Sequence, residues 1–192
     1  MTRTLLAAVL AVFTVWPAFA APLIYALDAD ASRVGFTVAF GPDKISGEVP
    51  VASADIALDF ERPSQSRVSV VLDVSGARAN FPFATQALRG PKILDAKSFP
   101  SMMFVSTGIE TIPGEVSRAL LNGDITVRGA TRPLTLGVEL FRPADRDLGA
   151  RERLIVRLTG AIQRSDFGAT GWSDLVGDAV ELDMMLQIDL LE

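Results

Sequence analysis

The chain of 192 residues contains no cysteine and no histidine. Without cysteine there can be no disulfide, thiolate nucleophile or zinc–thiolate site. Without histidine the commonest general base and the commonest metal ligand are gone. A His-based triad, a His–metal centre and His-ligated haem are all excluded. Tyrosine occurs once and tryptophan twice, against 11 phenylalanines. An outer-membrane barrel needs girdles of Tyr and Trp at both interfaces, and this chain has too few to build them. The net charge is −5. Nucleic acid and anionic membrane surfaces call for clustered Lys and Arg, and here the basic residues are scattered. Their densest run, Arg142 to Arg157, is broken by Asp145, Asp147 and Glu152, which suits a solvated loop. No Walker-type loop and no G-x-S-x-G elbow is present. Gly171-Trp172-Ser173 starts like an elbow but continues Asp174-Leu175, and Asp166-Phe167-Gly168 stands without any other kinase motif. Same-face carboxylates such as Asp28 and Asp30, or Glu181 and Asp183, read as solvated strand exterior.

What is there begins with an apolar leader. Arg3 precedes the apolar run Leu5 to Trp16, and Ala18-Phe19-Ala20 offers small residues at both recognition positions of a signal peptidase. The run is shorter than the roughly 20 residues of a spanning helix. Residues 1–20 are therefore expected to be a signal peptide, with 21–192 forming one periplasmic domain.

The mature region alternates. From Val180 to Leu190 every even-numbered residue is apolar, and only Met185 breaks the odd positions. Side chains on a strand point alternately to opposite faces, so this is a strand with one dry and one wet face. The pattern recurs in Val34 to Phe40, Val68 to Val74, Leu134 to Leu140 and Leu154 to Ile162. Many one-faced strands and little helix leave a sandwich or a closed barrel. Asn122-Gly123 looks like a hairpin turn, yet Ile125 to Val127 continue the preceding pattern, so it reads as a bulge or a point of close contact.

Two segments break the rhythm. Asn80 to Pro100 holds Phe81, Phe83, Leu88, Leu94 and Phe99 without a period of two, with a short helical turn over Thr85 to Leu88. Ser165 to Asp178 holds Phe167 and Trp172 among glycines. Both are expected to act as lids or plugs at the barrel ends. Phe lacks a polar handle, so this aromatic set suits a greasy interior.

Leu88-Arg89, Phe99-Pro100, Phe104 and the run from Gly123 to Leu134 occur in one order. Arg164 to Gly168 and Val176 to Val180 follow them. Tyr25-Ala26-Leu27-Asp28 and Ser32 to Phe36 open the series. This ordered set resembles the YceI family of bacterial polyisoprenoid-binding proteins. The resemblance implies an all-β fold: an eight-stranded antiparallel β-barrel, lipocalin-like, with a short helical or loop segment covering one end. It also implies a periplasmic location and an elongated apolar cavity for a polyisoprenoid, quinone or fatty amide. Family members often carry histidine where Phe40, Arg128 and Gln86-Ala87 stand here, so any role of those histidines is absent.

Shared parity assigns the barrel interior to Phe36, Val38, Phe40, Val70, Leu72, Phe104, Leu136, Val138, Val156, Leu158, Leu182, Met184 and Leu186. A lipid tail is expected to touch these and also Phe81, Phe83, Leu88, Leu94, Phe99, Phe167 and Trp172. Arg89 and Arg164 flank the closing segments. Two readings of them stand: a fork of donors for a ligand head group, or a structural role in which Arg164 pairs with Asp166 or Asp178. No cofactor and no metal is expected. The expected partner is a long-chain apolar lipid, without nucleic acid or stable membrane insertion, and a homodimer is left open. The function expected is lipid binding, transport or sequestration. The alternatives are an envelope stress-response module without a dedicated ligand and a lipid-modifying enzyme.

Overall fold

The computed structural model describes residues 21–141 and 151–191. The expected leader at 1–20 and most of the basic run after Arg142 lie outside the described residues. Ten strands and one helix follow in order. They are β1 (Leu23–Phe40), β2 (Asp43–Glu48), β3 (Val51–Leu58), β4 (Arg67–Asp73), β5 (Arg78–Ala79), α1 (Pro82–Arg89), β6 (Ser101–Thr111), β7 (Arg118–Val127), β8 (Ala130–Phe141), β9 (Arg153–Gln163) and β10 (Val176–Leu190).

The sheet runs β10-β9-β8-β7-β6-β4-β3-β1 and closes through a β1–β10 ladder. This is an eight-stranded antiparallel barrel. The two apolar stretches at 23–28 and 32–40 belong to one long strand with a kink. β1 faces β10 from Tyr25↔Leu190 to Phe40↔Val176, with an irregularity between Asp28 and Arg33. Asp28 holds the kink: its carboxylate accepts from the backbone N–H of Asp30 and Ala31 and from the Gln187 side-chain amide. Ser32 Oγ accepts from the Gln187 backbone N–H.

β2 and β3 are two arms of one chain turned at Val49-Pro50. β2 pairs with the far end of β1 over Gly35–Phe40, and β5 pairs with β2 outside the barrel. β3 pairs with β1 only at Leu23, Ile24 and Tyr25.

The β7–β8 connection is tight, β7 ending at Val127 and β8 starting at Ala130. Arg128 and Gly129 form the whole turn at φ +50° and +75°. Such a pair of left-handed residues matches the twist of a two-residue hairpin. Thr131 to Pro133 belong to β8, where Pro133 faces Asp124. Asn122-Gly123 lies within β7, opposite a register shift between Ser106 and Gly108 in β6. A Cβ on Gly123 would sit 2.4 Å from Phe104 Cζ, so only glycine admits that ring.

The core has two parts. One lines the upper barrel and includes Val74, Ala77, Leu121, Val127, Leu134, Leu136 and Phe167. The other centres on Tyr25, Ile56, Leu154 and Ile188 and fills the opposite end. Both rhythm-breaking segments cover the same end of the barrel, rather than one at each. The Gly171 N–H donates to the Lys92 carbonyl at 3.0 Å, joining them. The second end needs no lid because side chains from four strands meet across it.

Candidate functional site

The alternation of the strands turns one face of each inward, and the inward faces do not fill the upper barrel. They leave a cavity of about 210 Å³. Its walls are Phe36, Val38, Val70, Leu72, Phe104, Leu136, Leu158, Leu182, Met184 and Leu186, with Leu88, Leu94, Arg164 and Phe167 from the closing segments. Fourteen of the residues expected from the sequence thus meet around one space.

The other eight stand elsewhere. Val138 and Val156 point inward but pack into the core below the cavity. Phe40 sits at the last β1–β10 pair, opposite Val176, beyond the cavity wall. Phe81, Phe83 and Trp172 are exposed, Phe83 by 72%. Pro82 and the residues after it wind α1 so that Ala84 and Leu88 face the barrel, which turns Phe81 and Phe83 outward. Trp172 lies against the Lys92 ammonium, 5.6 Å from its ring centre. Phe99 packs on Gly129, whose missing Cβ leaves room for it, and under the Arg128 guanidinium. Arg89 spends its Nε–H on the Ala77 carbonyl at 2.7 Å and does not reach the cavity.

Arg164 is buried at the cavity edge and makes no hydrogen bond or ion pair with Asp166 or Asp178, although its charge helps to hold the Asp178 carboxyl down. Its guanidinium donates to the carbonyls of Gly177 at 2.8 Å, Gly171 at 2.8 Å, Val176 at 2.9 Å and Ala169. Four of its five N–H groups are therefore used within the loop that leads into β10. It clamps that segment, with four donors on backbone carbonyls. Asp178 instead accepts from Ser165 through its backbone N–H at 2.9 Å and its hydroxyl at 2.7 Å. The Ser165 side chain, then its backbone N–H, hold the Asp178 carboxyl below the ordinary aspartate range. Arg128 donates to the carbonyls of Pro91 at 2.9 Å and Ile93 at 2.7 Å. That latch fastens the first closing segment to the β7–β8 hairpin.

Sequence reasoning missed Val34, Val49, Ile56, Val68, Ile93, Met102, Leu121, Ile125, Val127 and Leu134, all of which line the cavity. Parity alone could have found several. Val34 shares a face with Phe36, Val68 with Val70, and Leu134 with Leu136. Ile93 lies on irregular backbone, where no period exists to reveal it.

The lining is apolar apart from Arg164. Among the described residues it contains no hydroxyl, carboxylate or amine. A closed barrel around an apolar cavity, shut at one end by a helix and a looped segment, defines a small-barrel binding fold.

Residues 25–188 match the YceI-like domain, and the chain belongs to that family. Protein YceI of Salmonella arizonae is 26% identical over 131 residues, covering 68% of this chain and 65% of that protein. The chain thus matches just under two thirds of that relative's length. Among solved structures, Burkholderia cenocepacia BcnA superposes with a TM-score of 0.72 at 20% identity, covering 84% of this chain and 98% of that one. A polyisoprenoid-binding domain from Saccharophagus degradans, implicated in plant cell wall breakdown, gives a TM-score of 0.63 at 12% identity, covering 88% and 99%. The YceI protein of Campylobacter jejuni gives 0.63 at 22% identity, covering 73% and 81%. These likenesses are likenesses of fold.

Proposed function

We propose that this chain binds a long-chain apolar lipid in its barrel cavity, of the polyisoprenoid, quinone or fatty amide class, as a carrier or sequestering protein and not as an enzyme. The observation that carries the reading is the cavity wall, apolar among the described residues but for Arg164, whose guanidinium is already spent on backbone carbonyls. An uncharged chain loses nothing polar on entering such a space. About ten buried methylenes contribute roughly 8 kcal/mol. Association takes back several kcal/mol, so useful affinity calls for a longer chain, which an isoprenoid supplies. The polyisoprenoid-binding neighbour of the same fold supports the ligand class. The leader-like residues 1–20 support a periplasmic location for the 21–192 domain.

Organic extraction of the purified chain, with mass spectrometry, tests the ligand. A polyprenyl, quinone or fatty amide species is expected in the extract, or uptake of added undecaprenol by protein purified empty. A chain that carries no lipid and takes up none overturns the reading. N-terminal sequencing of protein from the periplasmic fraction is expected to begin at Ala21.

A further inference from the structure

The barrel wall has a slot between β1 and β3. Their ladder ends at Tyr25↔Ile56, and β1 next finds a neighbour on that side at Val34, whose carbonyl accepts from the Val49 N–H beside the β2 end at Gly35↔Glu48. Two features hold the slot apart. On one side, Asp28 and Ser32 bond the β1 kink to β10, away from β3. On the other, the chain turns at Pro50, which has no N–H to offer a ladder. Pro50's carbonyl accepts from Asp73, on the β4 side.

A groove of about 770 Å³ runs along this slot. Small and apolar residues border it: Ala26, Leu27 and Ala29 from β1, Val51 and Ala54 from β3. Its outer rim is polar, with Asp55, Arg67 and Ser106. Ile56 and Val68 line both this groove and the inner cavity. They pair with each other in the β3–β4 ladder, so the same two residues stand between the groove and the cavity. Pockets that engulf a small ligand run about 300–1,000 Å³, and the inner cavity at about 210 Å³ falls below that range. The groove lies within it.

We propose that the β1–β3 slot is a second binding segment, which takes the distal part of a long polyprenyl chain whose other part fills the inner cavity. This rests on the lipid-binding reading above. The small side chains of Ala26, Ala29 and Ala54 leave room for an isoprenoid methyl where larger residues would close the wall. Leu27, Ile56 and Val68 form the partition that the chain passes. Chain length, rather than head group, is then what the slot selects.

The test is calorimetric titration of the full chain and of its Ala54→Phe and Ala26→Trp variants with geraniol and with undecaprenol. Both variants are expected to keep geraniol within about twofold and to lose undecaprenol affinity by about tenfold or more, the effect of exposing a few methylenes. Ala26 lies on the outer face, so Ala26→Trp carries the test if Ala54→Phe does not fold. Undecaprenol affinity unchanged in a folded variant, or equal loss of both alcohols, overturns the slot. Undecaprenol carrying a diazirine at its distal end gives a readout without mutation. Labelling within 51–57 is expected. Labelling confined to 88–94 and 164–169 overturns the proposal while leaving lipid binding standing. Failure of the unmodified chain to bind either alcohol overturns the lipid reading itself.

Discussion

The two ends of the barrel are shut by different physics. At one end Tyr25, Ile56, Leu154 and Ile188 meet side chain to side chain, and Leu154 is fully buried. That seal is made of regular strands whose backbone groups are already paired. At the other end irregular backbone covers the opening, and irregular backbone leaves carbonyls to satisfy. Arg164 satisfies those of Ala169 and Gly171, with two more at the start of β10, and Arg128 satisfies those of Pro91 and Ile93. A plug built from apolar packing is lost only when the barrel unfolds. A lid built on a few charged donors can be released on its own, so the lid end is the one able to open.

The largest effect is expected from Arg164→Leu. It strands four carbonyls, two in the closing loop and two at the start of β10, and should cost about 4 kcal/mol. Thermal unfolding measures this, at about 2–4 °C of midpoint per kcal/mol for a chain of this size. Amide exchange should accelerate first in 169–177, and uniform acceleration would show that the lid is not a separate unit. Leu154→Ala comes next, at about 3 kcal/mol for a packed leucine. Its exchange should accelerate across all the strands together, and a response limited to the plug end would break the comparison.

Acid gives a smaller effect. Asp178 at the lid end and Asp59 near the plug end both have carboxyls held below the ordinary value. For Asp59 the first cause is the Arg62 backbone N–H at 2.8 Å, with the Arg62 guanidinium also contributing. A carboxyl whose folded pKa is lowered binds fewer protons folded than unfolded. Its stabilisation is full above the unfolded value of about 3.9 and is lost as pH falls through the folded value. Melting temperature should therefore fall on acidification below about pH 4, and less steeply in Asp178→Asn. The smallest effect is Phe83→Asp, an exposed site off the cavity wall. Melting temperature and undecaprenol affinity should both be unchanged, and a loss of affinity would bring α1's outer face into the site.

Where a period of two existed, the sequence was sufficient. Val180 to Leu190, Val68 to Leu72 and Leu134 to Leu136 point inward because a strand allows no other choice once one face is buried. Off the strands that rule has no hold. Phe83 and Leu88 lie in one segment and differ in fate through a helical turn whose rotation their spacing does not reveal. Phe99 and Trp172 are as apolar as the lining residues, yet each is satisfied by a cation and a neighbouring backbone. Arg164 read as a donor in search of an anion, and its actual partners are carbonyls, which composition does not display. That both closing segments sit at one end depends on contacts between Lys92 and Gly171, far apart in the chain.

The ladder that closes the barrel joins its first strand to its last. Ser32 and Gln187, 155 residues apart, share a hydrogen bond at that seam. Until β10 is in place, β1 has an open edge and the cylinder has no circumference. Folding is thus dominated by non-local pairing, which places it among slowly folding topologies. The cylinder closes only when β1 and β10 have met.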